Sequence, residues 1–172
     1  MNIVIRKEKE KDYKNIFKVN KLAFGQEDES RLVEQIRSTD NFIPDLSLVA
    51  EVDNNIVGYI LFSKIKILGS SIFDTLALAP MAVLPKFQGL GIGSELIKEG
   101  MEKAKELGFN SIIVLGHKDY YPKYGFKKAS GWKIKCPFEV PDEAFMAIEL
   151  SDKALEDKAG IVVYPDEFME TD

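Results

Sequence analysis

Glycine stands at every second position from Gly89 to Gly93, with Gln88 before the run and Ser94 after it. That spacing keeps side chains from standing between the backbone and a ligand, so main-chain N–H groups can converge on a phosphate. The pattern is Q-x-x-G-x-G, carried by Gln88, Gly91 and Gly93. It lacks the Gly-Lys-Ser/Thr end of a P-loop, and it fails G-x-G-x-x-G because Leu96 stands where the last small residue belongs. Taken alone, it reads equally as a tight strand-to-helix turn. A second stretch, Tyr120-Tyr121-Pro122-Lys123-Tyr124-Gly125-Phe126, crowds three phenols together. On residue type alone, phenols so crowded read as core filling rather than chemistry. His117 and Cys136 have no companions of their kind, so neither a zinc cluster nor an internal disulfide is expected, and Cys136 lacks a base to activate it.

These residues need elements to hold them. The apolar run from Leu76 to Pro85 reads as a strand entering the glycine loop. From Ser94 onward Leu96, Ile97, Gly100, Met101, Ala104 and Leu107 recur at helical spacing, with charges on the other side. A helix starting there turns its unpaired N–H groups and positive dipole end toward the loop. The dipole contributes only about 0.3 to 1 kcal/mol at an exposed site, so direct N–H contacts must supply the rest. Pro80 sits inside the strand, where proline cannot donate a ladder bond. The sequence therefore predicts a bulge near Leu78 to Pro80, past which Met81, Ala82 and Val83 are free to bond something other than protein; an edge strand with Pro80 on its solvent side is the alternative. After a Gly108 cap, Ser111 to Leu115 reads as a buried strand brought parallel to the first by a right-handed crossover.

With the glycine loop and the tyrosine stretch in this order and a buried strand between them, the chain resembles the GCN5-related N-acetyltransferases. It is most similar to a bacterial branch with a VLGH-x-x-YY-x-x-x-GF segment, here residues 114–126. The specific match covers residues 76–126, and the order of elements extends it over nearly the whole chain. The resemblance implies an α/β (α+β) fold with a single mixed, mostly antiparallel sheet, a central splayed parallel strand pair and flanking helices. It implies acetyl-CoA as co-substrate with no metal. Gln88, Gly89, Gly91, Ile92, Gly93 and Ser94 then hold the pyrophosphate, and Met81, Ala82 and Val83 pair with the pantetheine arm. It gives Tyr121, four residues before Gly125, the role of acid toward the leaving thiolate. It also sets Glu27, Glu29, Phe138 and Glu139 near the acceptor, a small-molecule or peptide amine attacked in a ternary complex. A non-catalytic acyl-CoA sensor and a ligand-free scaffold are the competing functions.

Proton accounting separates acceptors. At pH 7 an alkyl amine of pKa ~10.4 costs ~4.6 kcal/mol to neutralise, and an α-amine near ~8 about 1.4 kcal/mol. The sequence offers no convincing base; Asp74 on the strand and His117 in the loop after Leu115 are the nearest groups.

The remaining pattern gives a strand at residues 2–6, a helix with Tyr13, Ile16, Phe17, Asn20 and Phe24 on one side, and a second helix from Asp28 through Leu32, Val33 and Ile36. Ser47 to Val52 and Ile56 to Ile67 form a hairpin across Asp53-Asn54-Asn55, and Gly69-Ser70-Ser71 turns into the central strand. Later strands are expected at residues 144–150 and 161–164. A length of 172 residues suits one domain over 1–172, and 45% hydrophobic with 30% charged residues is ordinary globular composition. The net charge of -5 argues against nucleic acid, and the lack of a ~20-residue apolar run or a signal region argues for a cytoplasmic protein away from membranes. A homodimer is left open.

Overall fold

A computed structural model describes residues 1–169. Its framework is an antiparallel meander: β1 (Ile3–Lys7), β2 (Ser47–Val52), β3 (Asn55–Gly69) and β4 (Ile72–Val83). The β2–β3 turn is Asp53-Asn54, both at positive φ (51° and 63°), the backbone that a two-residue hairpin loop requires and that Asp and Asn tolerate. Between β1 and β2 the chain forms α1 (Tyr13–Phe24) and α2 (Asp28–Arg37). After β4 come α3 (Ile92–Glu106), β5 (Ser111–Leu115), two short strands, β6 (Lys127–Lys128) and β7 (Ile134–Lys135), then β8 (Phe145–Glu149) and β9 (Gly160–Val163). The sheet runs β1-β2-β3-β4-β5-β8-β6, with β9 beside β3 where β2 has ended. The short strands β6 and β7 lack a hydrophobic pattern of their own and escape sequence reading; β7 adds a second parallel pairing, to β9.

Two features of β4 position the site. Opposite Leu61 of β3 stand two residues, Ala79 and Pro80, because the register passes from Phe62↔Leu78 to Ile60↔Met81. This is the bulge expected at the proline, and the Ala79–Pro80 peptide is cis. On its other edge β4 pairs with β5 in parallel only at Leu76↔Ile112 and Ala77↔Ile113. Beyond Ala77 the two strands part.

Period-two alternation sorts the core into two faces. Leu76, Leu78, Ile112 and Val114 face α3 and pack with Leu96 and Ile97. Ala77 and Ile113 face the other way, among Phe145, Ala147 and Val162. Toward α1 and α2 that second face continues through Val49, Tyr59 and Leu61. Helix α3 lies close on the sheet: a Cβ at Gly100 would meet the Phe62 ring at 2.2 Å. Charged groups tie down the opposite face. Arg37 donates to both oxygens of buried Glu8 (2.9 and 3.0 Å), which also accepts from Ser47, itself bonded to the buried Tyr59 hydroxyl at 2.6 Å. Arg6 donates to Asp12 and to Glu51, and Asp12 accepts the Lys9 N–H at 2.7 Å, which fixes the turn into α1.

Candidate active site

The ladder register decides which β4 amides are available. Leu84 N–H donates to the Val57 carbonyl at 2.8 Å, and Gly58↔Val83, Tyr59↔Ala82 and Ile60↔Met81 follow in antiparallel register. Hydrogen-bonded and open pairs alternate along such a ladder. Ala82 therefore spends its N–H and C=O on β3, while Met81 and Val83 direct theirs into the gap beyond Ala77. The expectation of three free residues holds for both groups of Met81 and for the N–H of Val83. The Val83 carbonyl accepts from Gln88 Nε2 at 3.0 Å, so this glutamine also folds the loop back onto the strand end.

After a 3₁₀ turn at Pro85–Phe87, Gly89 and Gly91 take φ of 76° and 87°. Gly91 is the N-cap, so α3 begins at Ile92 rather than at Ser94, and Gly93 and Ser94 belong to its first turn. Glu95 N–H, bonded to Gly91 O at 3.1 Å, opens the helical ladder. Among the described residues, the N–H groups from Gly89 to Ser94 have no protein acceptor. Gly93 is small for a reason other than backbone freedom: a Cβ there would stand 2.8 Å from the Tyr120 hydroxyl.

A cleft of about 740 Å³ opens at this point. It brings together every sequence-predicted cofactor residue: Met81, Ala82, Val83, Gln88, Gly89, Gly91, Ile92, Gly93 and Ser94. Its charged walls, among the described residues, are Lys98 and Lys123, so the cleft is cationic in a chain of net charge -5. Ala23 and Phe24 close it from the end of α1. Sequence reading missed these four. Lys98 was legible, since it lies four residues after Ser94 on the same helix face.

The phenols separate by role. Tyr120 and Tyr124 line the cleft with rings 5.4 Å apart, and Lys123 Nζ lies 4.7 Å from the Tyr120 ring. Burial, then the bond to Tyr124, raises the Tyr120 pKa. Tyr121 does not line the cleft; its side chain packs behind Tyr120, against Phe126 and under Gly116, where a Cβ would meet the Tyr121 ring at 2.4 Å. Burial pushes the Tyr121 phenol up to about 12, so it is fully protonated at neutral pH.

Behind the gap, on the face away from α3, lies a second cavity of about 170 Å³. Ala77, Leu78, Ala79, Ile113 and Leu115 form its floor, and Phe138, Tyr164, Phe168 and Met169 its roof. Of the residues expected near an acceptor, Phe138 is here and Glu139 lines an adjoining outer depression. Glu27 is held by Lys21 and Arg31, and Glu29 accepts from Gln26. Neither cavity's described lining includes a carboxylate or a histidine. Asp74 pairs with Lys66 toward the far end of β4, and His117 is exposed. Burial raises the Cys136 pKa, which lowers its thiolate fraction. Among the described residues no group of three or more His, Cys, Asp or Glu could hold a metal ion, and no helix is long and apolar enough to cross a membrane.

Comparison with known proteins agrees with this geometry. The sequence pattern of the acetyltransferase (GNAT) family matches residues 12–126. The chain is 37% identical over 134 residues to YjhQ of Escherichia coli (strain K12), named an uncharacterised N-acetyltransferase, covering 77% of this chain and 74% of that protein. It is 31% identical over 147 residues to a second such protein of the same strain, YhbS, covering 85% and 86%. The crystal structure of E. coli YhbS in complex with CoA superposes with a TM-score of 0.92 at 29% identity, covering 99% of this chain and 93% of that one. A GNAT family acetyltransferase of Brucella melitensis in complex with acetyl-CoA gives 0.80 at 31% identity, covering 97% and 98%.

Proposed function

The chain belongs to the GNAT family of acetyltransferases, and from that footing we propose that residues 1–172 act as one N-acetyltransferase domain that moves an acetyl group from acetyl-CoA directly to an amine. The observation that carries this reading is the run of unpaired N–H groups from Gly89 to Ser94 at the mouth of the cationic cleft. There the pyrophosphate accepts from the loop and the first turn of α3, with Lys98 and Lys123 adding charge. The pantetheine arm, an extended amide chain, fits along Met81 and the N–H of Val83, which face the gap. The acetyl thioester then lies where β4 and β5 part.

A neutral amine entering from the opposite face attacks the thioester carbonyl carbon, forming the C–N bond. Collapse of the tetrahedral intermediate breaks the C–S bond, and the thiolate takes a proton as it leaves. The role of that proton's donor goes to Tyr121 because it occupies the family's tyrosine position; its ring stands behind Tyr120 and off the cleft wall, and burial makes its phenol a weaker acid than a free tyrosine. The proton released from nitrogen passes to water, since neither cavity carries a base among its described residues.

Hydrogen exchange with and without acetyl-CoA, followed by thiol release with pooled amines, tests the reading. Expected are slowed amides from Gly89 to Ser94 and at Met81 and Val83, no change at Ala82, and thiol released by at least one amine. Absence of binding overturns it; tight binding without thiol release from any amine turns it into a sensor.

A further inference from the structure

We infer that the acceptor is a primary amine carried on an apolar group about the size of one benzene ring, held between the Ala77–Ala79 floor and the Phe138–Tyr164–Phe168 roof. This deepens the acetyltransferase reading and rests on it. Position supports the inference first. Ala79 stands two residues before Met81 across the bulge, which shortens that step below a regular strand's, so a group in the cavity presents its amine where the thioester arm ends. The cleft and the cavity share no lining residue and meet β4 on either side of the bulge, at Met81–Val83 and at Ala77–Ala79, so donor and acceptor need not share an entrance.

Size supports it next. A cavity of about 150 Å³ lined by Leu, Ile and Phe holds one benzene molecule, and this one measures about 170 Å³. Chemistry supports it last. Among the described lining residues none is charged, and the polar side-chain group is the Tyr164 phenol. A second ammonium or a carboxylate on the acceptor would lose its hydration there with no partner. A ring gains instead, because the roof is already an aromatic stack: Phe138 and Tyr164 lie 6.0 Å apart at 21°, and Tyr164 and Phe168 5.2 Å apart at 40°. The same walls disfavour the ammonium form of the bound amine, so the cavity helps deliver the neutral nucleophile that attack requires, in a site with no base.

Phe138 sets the limit. It is 39% exposed and is shared with the outer depression that contains Lys133, Glu139 and Asp142, so its ring divides the apolar cavity from charged surroundings.

The test is thiol release by the full chain at saturating acetyl-CoA with benzylamine, 1,4-diaminobutane and β-alanine. Benzylamine is expected to have the highest kcat/KM, by about tenfold or more, the discrimination one apolar pocket gives. Phe138→Ala is expected to shift preference toward 2-naphthylmethylamine, and Ala77→Val, which fills the floor, to raise KM for benzylamine. Calorimetry should show unchanged acetyl-CoA affinity in both. Preference for the diamine or β-alanine, equal rates with all three, or no reaction with any of them while acetyl-CoA binds tightly would overturn this inference and leave the cofactor site standing. No acetyl-CoA binding would overturn the reading beneath it, and this inference with it.

Discussion

Tyr121 and Tyr120 are neighbours in sequence with different places, one behind the cleft wall and one on it, and substitution tests a different task for each. Tyr121→Phe removes the proposed acid and keeps the ring that packs against Phe126; turnover is expected to fall about 10²-fold or more, with acetyl-CoA affinity retained. Tyr120→Phe alters the cleft wall, so it should raise KM for acetyl-CoA more than it lowers kcat. Gly93→Ala drives a methyl to within 2.8 Å of the Tyr120 hydroxyl. Such overpacking costs about 1 to 3 kcal/mol and should weaken acetyl-CoA binding. Removing that hydroxyl in the double variant should restore part of the affinity, which a double-mutant cycle measures. The glycines and Gln88 were legible because backbone exposure requires them and few other roles explain their spacing. That Gly93 makes room for a tyrosine 27 residues onward (120 minus 93) was not, because a contact across the fold leaves no local pattern. Nor did sequence divide Ala82 from Met81 and Val83, since ladder phase depends on the partner strand.

At the scale of elements, α3 must stay seated on β3 for its first turn to face the cleft. Gly100→Ala sets a Cβ at 2.2 Å from the Phe62 ring and is expected to cost about 1 to 3 kcal/mol of stability, read by denaturant unfolding. The start of α1 depends on charge. The hydrogen bond from Arg6, opposed by burial and aided by the Lys9 N–H, lowers the Asp12 pKa below its ordinary value. A depressed carboxyl contributes stability in full above its unfolded pKa of about 3.9 and loses it as pH falls through the folded value. Asp12→Asn should therefore lower Tm at pH 7, and the gap to wild type should close below about pH 4. The long hairpin strands, the helices and the proline bulge were legible from period, turn residues and the missing N–H of Pro80. The two-residue strands β6 and β7 were not, because tertiary pairing alone makes them strands.

For the whole molecule, what matters is that one gap in one sheet is approached by two separate openings that share no lining residue. Both substrates can be present together, so initial-rate plots should intersect rather than run parallel, and Cys136→Ser should keep its turnover. Composition was legible as ordinary globular, and the glycine loop as the residues that line the cationic cleft. Of the proposed acceptor cavity only Phe138 was legible; Tyr164 and Phe168, from a segment far along the chain, join it only by folding. The unsatisfied amides from Gly89 to Ser94 have one more effect. A crown of donors waiting beside two lysines welcomes whatever oxyanion the buffer contains. Phosphate or sulfate should raise the melting temperature of the empty protein by mass action and, by occupying the same seat, inflate the apparent Michaelis constant for acetyl-CoA. Kinetics recorded in chloride and in phosphate should then disagree, and the ratio between them titrates the anion seat itself.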